Sequence, residues 1–189
     1  MAWISPFQIL PPNERWAPEQ NQLDAVQNVY EKLLPPLVHK VRSAVADWRE
    51  RDYHGASTTS RSLLRFWFEQ EHHVNGTAFQ FFFSQREAIE SVVYLYEVAK
   101  SRDKYDLMRY DASGRVSTGM FDEVWTRYLV KMATGAGKTK VMALTLVWSY
   151  FHKMYETSSP LSKNFLVVAP NIIVLNRLRK DFEALFRHD

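Results

Sequence analysis

The stretch Leu129–Trp148, "LVKMATGAGKTKVMALTLVW", decides the fold of this 189-residue chain. A short strand-like run, 127–132, enters a glycine-rich turn, and the apolar run 138–155 leaves it as a helix predicted to be buried on nearly every side. After a polar loop, "FLVVA" (165–169) predicts a second buried strand. Residues 170–186 predict a further helix, with Val174 and Leu175 among the residues that face inward. The second half therefore predicts an α/β fold: a parallel βαβ unit with a right-handed crossover.

The turn "TGAGKT", Thr134–Thr139, has the chemistry of a phosphate-binding loop. Successive N–H groups of such a loop converge on phosphate oxygens, and the helix that follows presents its positive end. Glycines are needed where a side chain would block this approach, here at Gly135 and Gly137. In this pattern Lys138 contacts the β- and γ-phosphates and the Thr139 hydroxyl coordinates Mg²⁺.

The match to the strict G-x-x-x-x-G-K-[ST] pattern fails at its first position, which is Met132. The rest of the pattern is intact, with a strand predicted before it and a helix after it. The alternative is a tight strand-to-helix turn that contains Gly-Lys-Thr by chance. The sequence context favours nucleoside triphosphate binding.

The first half of the chain predicts helices. Apolar residues recur at helical spacing from Asn21, again over 37–48, and again after the N-cap candidates Thr58, Thr59 and Ser60; another helix is expected to begin near Ser84. "VNGT" (74–77) predicts a turn, and the polar stretch 101–126 a long surface insertion. Whether these helices take the place of missing strands stays open.

Composition and charge narrow the function classes. The chain has no cysteine, which excludes disulfides and thiolate metal sites. The stretch "MAWISPFQIL" (1–10) does not have the pattern expected of a signal peptide, and the apolar runs are too short to predict a membrane span. We therefore expect a soluble cytoplasmic protein. Residues 1–130 carry 15 basic and 17 acidic residues, whereas 131–189 carry 9 and 4. This positive end suits a partner rich in phosphate, although a solvated surface explains it equally well.

Three motifs, in order, resemble those of superfamily 2 helicases. "MATGAGKT" is similar to motif I, "SQREAIE" (84–90) to the glutamine motif, and "VVAPNIIVLNRLRKDFE" (167–183) to motif Ia of the branch that contains the Res subunits of type III restriction enzymes. The resemblance covers Phe79–Phe186. It implies a helical N-terminal region over 1–78 and, over 79–189, the first part of a RecA-like domain of an ATP-dependent DNA helicase or translocase. ATP, Mg²⁺, double-stranded DNA and a methyltransferase or specificity subunit are the implied cofactors and partners.

The resemblance also assigns roles to individual residues. It implies that Gln85 reads adenine, although an ordinary N-terminal helix residue is the alternative. The loop residues that would bind ATP are Thr134, Gly135, Ala136, Gly137, Lys138 and Thr139, of which Lys138 and Thr139 would also serve catalysis. Pro170 and Asn171 would contact the nucleic-acid backbone with Arg177 beside them, whereas Arg179 and Lys180 fit a solvated helix face. "FQFFF" (79–83) predicts core packing, with adenine stacking by Phe79 or Phe83 as the alternative.

The acidic motif II of the superfamily, which holds Mg²⁺ and orients water, is missing from this sequence. Asp181 and Glu183 lie in the motif Ia helix, and Asp122 and Glu123 precede the loop. We therefore expect the N-terminal piece of a longer protein, one that does not turn over ATP by itself. The alternatives are an inactive nucleotide- or DNA-binding module and an unrelated P-loop kinase or transferase.

Overall fold

The computed structural model describes residues 4–12, 37–111 and 126–186. These ranges form helices and one small antiparallel hairpin. The helices are α1 (Val38–Glu50), α2 (Thr58–Glu69), α3 (Phe83–Val93), α4 (Lys104–Met108), α5 (Lys138–Tyr155) and α6 (Ile172–Phe186), and a π-helical turn, Tyr94–Val98, continues α3. The hairpin strands are β1 (His72–Val74) and β2 (Thr77–Phe79). No helix among the described residues is long and apolar enough to cross a membrane.

Helical periodicity predicted α1 and α2, and the structure confirms both. Helix α2 begins one residue earlier than expected, because its N-cap is Ser57: the Ser57 hydroxyl accepts a hydrogen bond from the Ser60 N–H at 3.1 Å. The Ser60 side chain is fully buried and accepts from Trp148 Nε1 at 2.8 Å, so it serves packing between helices and not capping. The helix predicted from Asn21 lies outside the described residues.

The turn predicted at "VNGT" is confirmed, but the two strands that flank it were not predicted. His72 pairs with Phe79 and Val74 with Thr77. The connecting residues Asn75 and Gly76 both have positive φ, 51° and 75°, as a two-residue type I′ turn requires. The strands could not be predicted from the sequence because each spans only three residues, too few to show an alternating pattern.

The main hydrophobic core is formed by helices that precede the hairpin in sequence and helices that follow it. Large apolar side chains of α1, α2, α3 and α5 pack together, and they include Trp48, Leu64, Trp67, Ile89, Val93, Leu144 and Trp148. A second cluster (Val41, Val45, Leu95 and Tyr110) attaches the start of the predicted surface insertion to α1. The insertion is thus not wholly on the surface: Ser101 and Tyr110 are buried. Its remainder, 112–125, lies outside the described residues.

A charged network lies inside this core. Glu90 is completely buried and accepts hydrogen bonds from Arg49 Nε at 3.0 Å, Arg86 Nε at 2.8 Å and the Tyr53 hydroxyl at 2.8 Å. Arg86 also donates to the Tyr53 hydroxyl at 2.8 Å. Burial and the adjacent Glu90 carboxylate raise the pKa of Tyr53 above its ordinary value, because both disfavour the phenolate.

Alkaline conditions should destabilise the fold. Burial raises the pKa of Tyr94 to about 12, with help from its hydrogen bond to Tyr110, and burial also raises the pKa of Tyr128 to about 12. Each of these tyrosines, like Tyr53, ionises more readily in the unfolded chain, whose tyrosine pKa is about 10. Their contribution to stability is therefore complete below about pH 10 and is lost as the pH rises towards the folded-state values.

Urea unfolding between about pH 8 and about pH 11 measures this loss. We expect the Tyr53→Phe variant to show a shallower decline above about pH 10 than the unaltered chain. Tyr105, which is 66% exposed, provides the control, since Tyr105→Phe should leave the decline unchanged. A stability that stays constant across this pH range would contradict the prediction.

The predicted parallel βαβ unit does not form within the described part of the chain. Residues 127–132 and 165–169 are not paired as strands. Within 4–12, 37–111 and 126–186, the hairpin of β1 and β2 is the only sheet. Leu129, Leu166 and Val168 are 91%, 88% and 81% exposed. A strand is stable only beside neighbours that pair with its backbone and cover its faces. Among the described residues neither run has such neighbours, so the prediction of two buried strands is wrong for this part of the structure.

Helices α5 and α6 are less buried than predicted. Helix α5 packs through one face, with Leu144 and Trp148 in the core, whereas Met154 and Tyr155 near its end are 51% and 70% exposed. On α6, Val174 and Leu175 were predicted to face inward but are 36% and 44% exposed. In both helices the apolar pattern was read correctly, but the surfaces that would cover it are not present in the described chain.

Candidate nucleotide-binding site

The glycine-rich loop turns sharply into α5 through two left-handed glycines. Gly135 has φ +81° and Gly137 φ +78°, a region that side chains with a Cβ rarely adopt. Gly137 is the N-cap of α5, and its carbonyl accepts from the Lys140 N–H at 3.0 Å. The glycines that the sequence singled out are therefore the residues at which the backbone reverses.

The loop offers N–H groups to a ligand. Among the backbone hydrogen bonds described for Thr134–Thr139, only one uses a loop N–H as donor: the Ala136 N–H donates to the Ala133 carbonyl at 3.3 Å. The first turn of α5 contains no acidic residue, so the positive end of the helix is not neutralised there. Free N–H groups at an uncompensated helix N-terminus favour an anion such as phosphate.

Lys138 and Thr139 begin α5 at the mouth of the loop. The Lys138 side chain is exposed and folds back, donating from Nζ to the Ala133 carbonyl at 2.9 Å. Thr139 is half-buried in the first turn. An exposed ammonium with one backbone carbonyl as its described partner can exchange that partner for a phosphate oxygen at little cost.

Gln85 lies against the loop, 51 residues away in sequence from its partner Ala136. Its Nε2 donates to the Ala136 carbonyl at 3.0 Å, while its Oε1 accepts from the Phe82 N–H at 3.0 Å. The side chain is 3% exposed. A Cβ placed on Gly137 would lie 2.1 Å from Nε2. The structure thus brings Gln85 and the glycine-rich loop together.

The aromatic run before Gln85 serves mainly packing. Phe83 is 8% exposed, with the Arg49 guanidinium 5.3 Å from its ring centre, so it is enclosed by the protein. Phe79 is half-buried, and Lys140 Nζ lies 4.6 Å from its ring centre. Sequence analysis missed Lys140 beside the loop; its position two residues after Lys138 was the available signal.

The predicted nucleic-acid residues lie on the surface at the start of α6. Pro170, Asn171 and Arg177 are all exposed. Asn171 Oδ1 accepts from the Val174 N–H at 3.0 Å and so caps the helix. No described hydrogen bond joins these residues to the phosphate loop. Arg179 pairs with Glu183 at 3.0 Å, as on an exposed helix face.

Comparison with protein families matches residues 78–189, more than half of the chain, to the family "Type III restriction enzyme, res subunit". The chain belongs to this family. Comparisons with curated proteins and with solved structures give no match. The Res-subunit family is DEAD-like, with a RecA-like fold and a helicase-like, ATP-dependent function.

Membership of the Res-subunit family places the loop in a domain built around a parallel sheet. In the described residues, the loop and its flanking helices are present and the parallel strands are not. The loop keeps its shape here because its supports are local or helical: two glycines, the start of α5 and the side chain of Gln85.

Proposed function

We propose that this Res-subunit chain binds Mg·ATP through Thr134–Thr139, as the nucleotide-binding part of a DNA translocase of the restriction type. The observation that carries the proposal is the shape of the loop. Two left-handed glycines present N–H groups at the unneutralised N-terminus of α5, with one exposed lysine beside them.

The residues around the loop suit a triphosphate. Lys138 would leave the Ala133 carbonyl and donate to the β- and γ-phosphates, while the N–H groups of Gly135 and Gly137 approach the phosphate oxygens. The Thr139 hydroxyl is the group that would hold Mg²⁺. The ion, when bound, neutralises charge on the phosphates. The proposed reading of adenine by Gln85 requires this buried amide to give up at least one of its present partners.

DNA contact is proposed for the surface that begins α6. Pro170, Asn171 and Arg177 are exposed, and residues 131–189 carry an excess of five positive charges. Cations on an accessible surface favour a phosphate backbone regardless of base sequence. We propose double-stranded DNA as the partner, with a methyltransferase or specificity subunit as a further one.

Nucleotide binding without turnover is proposed for this chain alone. No D-E-x-H or D-E-A-D sequence follows Thr139, and phosphoryl transfer needs such carboxylates to orient the metal and the attacking water. The isolated chain should therefore bind Mg·ATP stoichiometrically and release no phosphate above background.

Calorimetric titration with Mg·ATP tests the proposal. Removing the lysine in Lys138→Ala should weaken binding about tenfold or more, since a charge-assisted hydrogen bond contributes about 1.5–3 kcal/mol. Lys163→Ala is the control, because Lys163 is also exposed but lies in the loop after α5; it should bind like the unaltered chain. Equal affinity in all three proteins would remove Lys138 from the site.

A further inference from the structure

A cavity lies at the end of α5 that is farthest from the glycine-rich loop. It has a volume of about 250 Å³ and is lined by the end of α5, residues 156–160, the N-cap of α2 and the π-helical turn. His152 of α5 lines it and comes 14 residues after Lys138, a distance of about 21 Å along a helix. The cavity is therefore separate from the candidate nucleotide-binding site.

The buried end of the cavity contains polar groups that already bond to one another. His152 and Ser159 are 7% and 5% exposed, and His152 Nδ1 lies 2.7 Å from Ser159 Oγ. The Ser159 hydroxyl also accepts from the Leu161 N–H at 3.2 Å, and His152 Nε2 lies 3.7 Å from a carboxylate oxygen of Glu97. These groups form the wall of the cavity, because a ligand that used them would have to break their present bonds.

The two carboxylates that line the cavity are bonded to the N-terminus of α2. Glu97 accepts from the Ser57 N–H and from the Ser60 hydroxyl. Glu156 Oε1 accepts from the Thr59 N–H at 3.0 Å. Negative charge is favourable at the positive end of a helix, so both carboxylates are stabilised where they are without a cation of the cavity.

Two cationic side chains at the exposed end of the cavity have no such partner. Lys100 and Arg102 both line the cavity, and both are exposed. In the described part of the chain, neither forms an ion pair with a carboxylate. The Arg102 guanidinium lies over the Tyr96 ring, 4.6 Å from its centre, which leaves the N–H groups at its edge available to an acceptor. The cavity thus offers two cations to a ligand.

The backbone at Lys100 is unusual for a lysine. Its φ is 50°, in the left-handed region, and it follows the π-helical turn whose end is closed by the Ser101 N–H donating to the Leu95 carbonyl at 2.8 Å. The left-handed residue just after a helix is most often glycine, because a Cβ is unfavourable there. A lysine therefore occupies a position that suits glycine, and its side chain lines the cavity. π-helical turns within helices are themselves frequent at functional sites.

We propose that this cavity binds the phosphate group of a small phosphomonoester through Lys100 and Arg102, with the exposed Ser158 hydroxyl as a further donor. Two cations match the charge of a phosphomonoester, which is close to −2 at neutral pH. The planar edge of a guanidinium suits phosphate oxygens. The volume is below the range of about 300–1,000 Å³ that is usual for drug-sized ligands, so the ester carries only a few carbon atoms. The proposal is independent of nucleotide binding at the glycine-rich loop.

Titration of the ¹⁵N-labelled chain, followed residue by residue by NMR, tests the proposal with glycerol phosphate, inorganic phosphate and acetate. Glycerol phosphate should shift the amides of 96–102 and 156–159 with a Kd of about 1 mM, as expected for a small ligand held by two exposed cations. It should bind at least as tightly as inorganic phosphate and more tightly than acetate. The absence of shifts at these amides, preference for inorganic phosphate over the ester, or equal binding of acetate would overturn the proposal. Shifts at 135–139 report separately on the glycine-rich loop.

Lys100→Gly removes the ammonium and places the favoured residue at a left-handed position. Its thermal midpoint should therefore equal or exceed that of the unaltered chain, while its affinity for glycerol phosphate falls about threefold to tenfold. Lys180→Ala is the control, because Lys180 is an exposed lysine of α6 outside the cavity, and it should bind like the unaltered chain. Arg102→Gln provides a second measurement and should show a similar loss. Unchanged affinity in both Lys100→Gly and Arg102→Gln, or an equal loss in Lys180→Ala, would overturn the proposal.

Discussion

Replacing Glu90 by alanine should lower the free energy of unfolding by about 3–5 kcal/mol, the usual cost of removing one partner from a buried ion pair. Glu90 is completely buried and accepts from Arg49, Arg86 and Tyr53. Without its carboxylate, Arg49 loses the acidic partner described for it, and Arg86 keeps only the half-exposed Glu69, 3.9 Å away. The Arg49 and Arg86 side chains are 10% and 14% exposed, so water can replace little of what they lose.

Urea unfolding followed by circular dichroism measures this cost, and an exposed ion pair supplies the control. Arg65 and Asp52 also form an arginine–carboxylate pair, but their side chains are 47% and 57% exposed. Asp52→Asn removes the charge and suits the left-handed φ of 53° at this position, so it should cost less than about 1 kcal/mol. Glu90→Gln, which keeps an acceptor and loses the charge, should fall between the two. If Asp52→Asn and Glu90→Ala proved equally costly, the buried network would not stabilise the fold as described.

Replacing Gly137 by alanine should cost about 2–5 kcal/mol of stability and remove most nucleotide binding. The left-handed φ of +78° costs a residue with a Cβ about 1–2 kcal/mol. The new methyl would lie 2.1 Å from Gln85 Nε2, and relieving such overpacking adds about 1–3 kcal/mol. Relief of this collision moves either the loop or Gln85. Either movement displaces the loop N–H groups that we propose donate to the phosphates.

Gly76 is the matched control for Gly137. Its φ of +75° is nearly the same, but a Cβ there would meet nothing within 4 Å. Gly76→Ala should therefore cost only the conformational term of about 1–2 kcal/mol and leave Mg·ATP binding unchanged. The double variant Gly137→Ala/Gln85→Ala should recover part of the loss of Gly137→Ala, because the colliding amide is gone. Equal costs at Gly76 and Gly137 would contradict the packing described around the loop.

Helices with one apolar face could be predicted from the sequence, whereas strands could not. The spacing of apolar residues in α1 and α2 records which side is buried, so both helices were found. The runs 127–132 and 165–169 have strand composition, but strand formation depends on neighbours elsewhere in the chain. Composition alone did not show that Leu166 and Val168 would remain exposed.

In the candidate site, too, features that depend on adjacent residues could be predicted, and features that depend on distant residues could not. The loop could be predicted because its shape depends on adjacent residues, chiefly Gly135 and Gly137. The hydrogen bond from Gln85 to Ala136 spans 51 residues, and its geometry follows from how α3 packs beside α5. Glu90 gave no signal, because a carboxylate in a helix usually faces water and only the three-dimensional partners explain its burial.

Hydrogen exchange upon addition of Mg·ATP tests the central claim, that a triphosphate binds at Thr134–Thr139, most directly. Bound phosphates should slow exchange at the amides of Gly135–Thr139, because these N–H groups would donate to the ligand. The amides at the start of α6 should be unaffected, and Lys138→Ala should abolish the change at equal nucleotide concentration. Binding of Mg·ATP with no protection at the loop, or with protection only elsewhere, would contradict the account.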